Sequence, residues 1–92
     1  MTASLACRYL ASLWPAPSAF AALSPEGVQL AGDGALAVRA AELLRRSAPG
    51  LSLVRDGELV VARGAAGGAL AAEVRGAALP GLLEQDLRRA AA

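Results

Sequence analysis

The 92 residues make one small domain, 1–92, and since 24 of its apolar residues are Ala, burial falls on 16 Leu, 6 Val and a single Phe, Trp and Tyr, which implies a thin core. All nine positive side chains are Arg; with neither Lys nor His present, a phosphate-loop Lys, a Schiff base, a Ser/His or Cys/His dyad and an imidazole metal ligand are excluded. Eight Asp and Glu leave a net charge of +1, too little for a nucleic-acid binder that works through its overall field.

Thr2 to Trp14 is read as the first helix, with Leu5, Tyr9, Leu10, Leu13 and Trp14 at helical spacing. Thr2 or Ser4 caps it, and Pro15 and Pro17 stop it. Trp14 is expected to pack on a sheet, the alternative being an exposed binding anchor. Cys7, the only cysteine, excludes an intrachain disulfide and reads as a small buried hydrophobe in a reducing cytoplasm. Met1 to Ala6 has no positive n-region and is too short for a signal-peptide core. Arg8, Glu26, Asp33 and Arg39 interrupt the first half, so no membrane span is expected.

Ala19 to Leu23 and Val28 to Ala31 flank Ser24-Pro25-Glu26-Gly27, a turn sequence with Pro at its second position, and read as a hairpin. Asp33 then caps a helix from Gly34 or Ala35 to Ala48, which Pro49-Gly50 stops. Leu36, Ala40, Leu43, Leu44 and Ser47 form its apolar face, and Arg39, Glu42 and Arg46 another. A flank of Ala35, Ala37, Ala40 and Ala41 would let a second helix approach closely.

Leu51 to Arg55 and Glu58 to Arg63 read as a second hairpin about Asp56-Gly57, taken as the two central residues of a type I′ turn. Leu51, Leu53, Leu59 and Val61 are expected on one face, Val54 and Val60 on the other. Apolar residues on both faces imply helices on one side and a place for a partner on the other. Gly64 to Gly68 reads as a hairpin loop, not a phosphate cradle, because no Lys or Ser/Thr follows it. Ala69 to Arg75 is the last strand, with Leu70, Ala72 and Val74 inward and Glu73 and Arg75 outward, and Gly76 breaks it. In the final helix, Ala77 to Ala92, Leu79, Leu82, Leu83 and Leu87 form a stripe expected to pack beside the first helix.

The fold class is therefore α+β, in the order α-β-β-α-β-β-β-α, with a five-stranded antiparallel sheet and helices packed on it. That order, the hairpin strand Glu26-Gly27-Val28-Gln29-Leu30-Ala31, and the stretch from Leu51 through Val74 into Leu79 to Leu87 resemble the roadblock family of dynein light-chain-like proteins. The resemblance covers nearly the whole chain, which is shorter than most members; a profilin-like or longin-like adaptor, or another small α+β domain, is the alternative. The roadblock resemblance implies a cytoplasmic, non-catalytic platform without cofactor or metal. Such a platform forms a homodimer, or a heterodimer with a related roadblock protein, through the middle helix and the third strand, and binds or regulates a small Ras-like GTPase. On this chain the self-association residues would be Ala37, Ala40, Ala41 and Leu44 on the helix and Leu51, Leu53 and Arg55 on the strand.

Three other readings follow from the residues. Arg55, Arg63 and Arg75 lie near turns or strand ends, where an Arg supplied in trans would stabilise phosphoryl-transfer charge. Glu58 and Glu73 are the one candidate carboxylate pair for an enzyme, weighed against surface pairing with Arg63 or Arg75. A small-ligand sensor would require a cavity in the Ala-rich core.

Overall fold

The computed structural model describes residues 2–14, 18–64, 67–75 and 80–91. Its elements are α1 (Ala3–Leu13), β1 (Ser18–Leu23), β2 (Gln29–Gly32), α2 (Gly34–Arg46), β3 (Leu53–Asp56), β4 (Leu59–Arg63), β5 (Ala69–Val74) and α3 (Pro80–Ala91). The expected α+β order is present, and the strands form one antiparallel sheet in the order β2-β1-β5-β4-β3. The stops assigned to Pro15 and Pro17, residues 65 and 66 of the glycine loop, the break at Gly76, Leu79 and the Leu82 side chain lie outside what is described.

Local chemistry sets the element ends. Thr2 Oγ1 accepts from the Leu5 N–H at 3.2 Å and Asp33 Oδ1 from the Leu36 N–H at 2.9 Å, so α1 and α2 each start on a side-chain cap. Between β1 and β2, Gly27 N–H donates to the Ser24 carbonyl (2.9 Å) and Ser24 N–H to the Val28 carbonyl (2.8 Å). Gly67 N–H to Gly64 (3.1 Å) and Gly64 N–H to Gly68 (2.7 Å) repeat that pattern between β4 and β5.

The hairpin of β3 and β4 departs from expectation by one residue. Asp56 pairs with Leu59, so the central residues are Gly57 and Glu58 rather than Asp56 and Gly57. Gly57 has φ +62° and, among the described residues, no non-glycine residue has positive φ, which fits a II′ turn and not the I′ turn expected. The faces of β3 also differ from expectation, though not through this shift: a two-residue turn at either position sets Val54 opposite Leu59 or Val61, on one face. Val54 joins Leu59 and Val61 on one face, while Leu53 lies with Val60 and Ala62 on the other.

Pairing of β1 with β5, from Ser18 opposite Val74 to Leu23 opposite Ala69, joins the two halves and makes β5 the central strand. One face of the sheet, with Phe20, Val60, Leu70 and Val74, packs against Ala6 and Leu10 of α1 and Leu83, Leu87 and Ala90 of α3. The opposite face, with Ala21, Leu23, Val61 and Ala71, packs against Leu36, Ala37, Ala40 and Leu43 of α2. The chain thus covers both faces of its own sheet, correcting the expectation of helices on one side and a partner on the other. As expected, α1 and α3 lie side by side.

Candidate interaction surface

With both faces covered, the sheet meets its surroundings through two edges, β2 and β3. They differ in kind. Along β2, Ala31 pairs with Ala22 and Gln29 with Leu23, leaving Leu30 as an unmatched bulge residue. Gln29 Nε2 folds back to donate to the Gly32 carbonyl at 2.9 Å. At Gly32 itself, φ is +90° and a Cβ would lie 2.2 Å from the Phe20 carbonyl oxygen, so only glycine lets β2 close this tightly onto β1. A bulged edge with a covered carbonyl is a poor template for another strand.

On the other side, β3 runs in regular register with β4 from Leu53–Ala62 to Asp56–Leu59. The pair that closes a two-residue turn exchanges hydrogen bonds, and such pairs recur at every second residue. Asp56, Val54 and Ser52 therefore turn their peptide groups toward β4, as the bond from Arg63 N–H to the Ser52 carbonyl at 2.9 Å confirms. Leu53 and Arg55 turn theirs outward.

The seven residues expected at a self-association surface divide accordingly. Ala37 and Ala40 are 4% and 0% exposed and face the sheet, so the alanine flank of α2 is in part an internal contact. Ala41 and Leu44 are half-buried and border an open groove with Arg45 and Gly27. Leu51 is 48% exposed. The Leu53 side chain packs against the α1/α3 core, and Arg55 reaches the same side to pair with Glu84 of α3. The α2 residues and the β3 side chains thus lie on opposite faces of the sheet, and the outward backbone of β3 runs along the margin between them. Sequence reasoning missed Val38, at 70% the most exposed large apolar side chain among the described residues. Its place off the Leu36–Ala40–Leu43 stripe is the signal that could have found it.

Several charged groups are engaged with one another. Arg39 of α2 grips Glu73 of β5 through both carboxylate oxygens. The hydrogen bond from Arg39 holds the Glu73 carboxyl below its ordinary range against the opposing effect of burial, and the same bond raises Arg39. Glu73, expected outward, instead lies under α2, because the face it points to is covered. Arg45 pairs with Glu42, and Arg46 reaches Asp56 at 3.8 Å.

Among the candidates for an Arg supplied in trans, Arg55 is paired with Glu84 and Arg63 donates to main-chain carbonyls, while Arg75 lies exposed just after β5. Glu58, the other half of the candidate carboxylate pair, sits exposed in the β3–β4 turn beside Leu59, the register partner of Glu73. Trp14 is half-buried, and its Nε1 donates to Asp86 Oδ2 at 3.0 Å, tying α1 to α3. Cys7 is half-buried against the same core, and burial pushes its thiol up. Among the described residues, no three His, Cys, Asp or Glu come together in a way that would hold a metal ion, and no helix is long and apolar enough to cross a membrane.

These features define an α+β domain with one sheet clad on both faces, one obstructed edge and one regular edge. No protein-family model, no curated protein and no solved structure matches the chain.

Proposed function

We propose that this chain is a non-catalytic interaction module of roadblock type. Two copies join through the β3 edge and the adjoining outer side of α2, and the doubled surface receives a small Ras-like GTPase or a related roadblock protein. The observation that carries this reading is the contrast between the two sheet edges. The β2 edge is bulged and covered by Gln29, whereas β3 leaves the backbone of Leu53 and Arg55 facing outward in regular register. Sheet extension across two chains satisfies such groups with main-chain hydrogen bonds, and Leu44 and exposed Leu51 supply apolar area toward that edge, whereas Val38 and Ala41 line a groove with Gly27 and Gln29 on the β2 side of α2.

Ala37 and Ala40 enter this reading indirectly, as the small residues that seat α2 low on the sheet. The order of elements, shared with the roadblock layout, supports the same conclusion. Its test is the mass of the chain in solution across a dilution series, by light scattering. Twice the chain mass at micromolar concentration is expected, and a single chain mass at all concentrations rejects self-association. The GTPase part is tested separately, by phosphate release from a small Ras-like GTPase with and without the chain. Equal rates reject an activating role and leave binding to be measured directly.

A further inference from the structure

Arg63 ends β4, and strand alternation places it with Leu59 and Val61 on the face covered by α2. From there its side chain enters the crossing between α2 and β3. Nη1 donates to the carbonyls of Ala48 (3.2 Å), Pro49 (2.7 Å) and Leu51 (3.2 Å), and Nη2 points to that of Leu44 (3.4 Å). Its own N–H holds the Ser52 carbonyl at 2.9 Å. No carboxylate is among these partners.

Free carbonyls gather at a helix C-terminus, where the dipole is negative. A planar fork of five N–H donors reaches several of them at once, which an ammonium on a flexible stem cannot do. Besides Arg63, the crossing is held by two side-chain links, Ser47 Oγ donating to the Leu43 carbonyl at 2.7 Å and Arg46 reaching Asp56 at 3.8 Å. Its only internal main-chain bonds are Ser47 N–H to Leu44 (3.2 Å) and Leu51 N–H to Ala48 (3.3 Å), and residues 48–52 are all exposed.

We infer that Arg63 is a positioning residue for the self-association surface: it locks the α2–β3 crossing so that the outward edge of β3 is presented at a fixed place beside α2. This rests on the self-association reading above. It also gives Arg63 a role incompatible with acting as an Arg supplied in trans, since its donors are already committed within the chain.

The test compares Arg63→Ala, Arg63→Lys and, as a control for lost stability, Leu87→Val in the α1/α3 core. Hydrogen exchange is followed at the Ser47 and Leu51 amides of the crossing and at amides of β1 and β5, alongside the self-association constant by sedimentation. Loss of charge-assisted bonds of this kind is expected to speed exchange at the crossing and weaken association by roughly 10-fold or more. Exchange in β1 and β5 should change little. Arg63→Lys should recover only a small part of either effect. Ethylguanidinium at millimolar concentration, supplied to Arg63→Ala, should restore both, while ethylammonium should not.

Wild-type exchange at the crossing in Arg63→Ala would overturn the inference, as would association weakened no more than in Leu87→Val. A parent chain that is monomeric throughout removes the self-association reading and the interface role with it, but the exchange rates still decide whether Arg63 is the clamp.

Discussion

Arg39 on α2 and Glu73 on the central strand β5 form a two-pronged ion pair, Nη1–Oε1 at 3.1 Å and Nη2–Oε2 at 2.5 Å, that spans the interface between helix and sheet. The two residues are 34 positions apart in the chain. The pair ties α2 down on the side of the helix away from the β2 groove, and so helps set how α2 lies on the sheet beside β3.

This pair predicts a pH dependence. The folded-state pKa of Glu73 lies below its ordinary value of 4.5, so its contribution to stability is present above that value and lost as pH falls through the folded-state pKa. Glu73→Gln should therefore differ from the parent in urea-unfolding stability at pH 7, and the difference should shrink toward pH 3. Much of Arg39 is open to solvent, so the effect should be small and decline further in high salt. A difference that grows on acidification would contradict the assignment.

Trp14 and Asp86 should behave as a structural tie. Trp14→Phe keeps most of the apolar contact but removes the Nε1 donor to Asp86, for an expected cost of about 1–2 kcal/mol in chemical denaturation. Self-association, read by sedimentation, should not change, because the tie lies between α1 and α3, on the sheet face opposite α2. Loss of association without loss of stability would place Trp14 at an interface instead.

Neighbouring alanines on α2 should respond in opposite ways. Ala40 is wholly buried against the sheet, and Ala40→Leu should cost about 1–3 kcal/mol through overpacking. Ala41 is only half-buried on the groove side, so Ala41→Glu should fold with near-parental circular dichroism and weaken self-association. Unchanged association in a folded Ala41→Glu would show that this side of α2 is not used.

Much of the fold could be read from residues close together in the chain. The caps at Thr2 and Asp33 and the turn at Ser24-Pro25-Glu26-Gly27 act locally, so the element order followed from them. The β3–β4 register did not, because Asp56-Gly57 and Gly57-Glu58 both offer a glycine to a two-residue turn and differ by one position. The expected grouping of Leu53 with Leu59 and Val61 fails separately, because either turn puts Val54, not Leu53, on their face. The site was less legible still. Whether Ala37 and Ala40 face a partner or their own sheet depends on Ala21 and Ala71 being brought together, and that is done by the distant pairing of β1 with β5. Glu73 looked exposed because it alternates with apolar neighbours, yet α2 covers its face and brings Arg39 to it. The carbonyl clamp of Arg63 has no sequence motif, since its acceptors are backbone atoms.

The β3 edge itself is probed most directly by comparing Arg55→Pro with Arg55→Ala. Both lose the ion pair to Glu84, but only Pro removes the outward N–H, and edge strands tolerate Pro where the N–H faces away from the sheet. Sedimentation of the two variants over a concentration series should find Arg55→Ala still dimeric and Arg55→Pro folded but monomeric. Equal association by both variants, or a parent chain with no dimer to lose, would mean that β3 is not where two chains join.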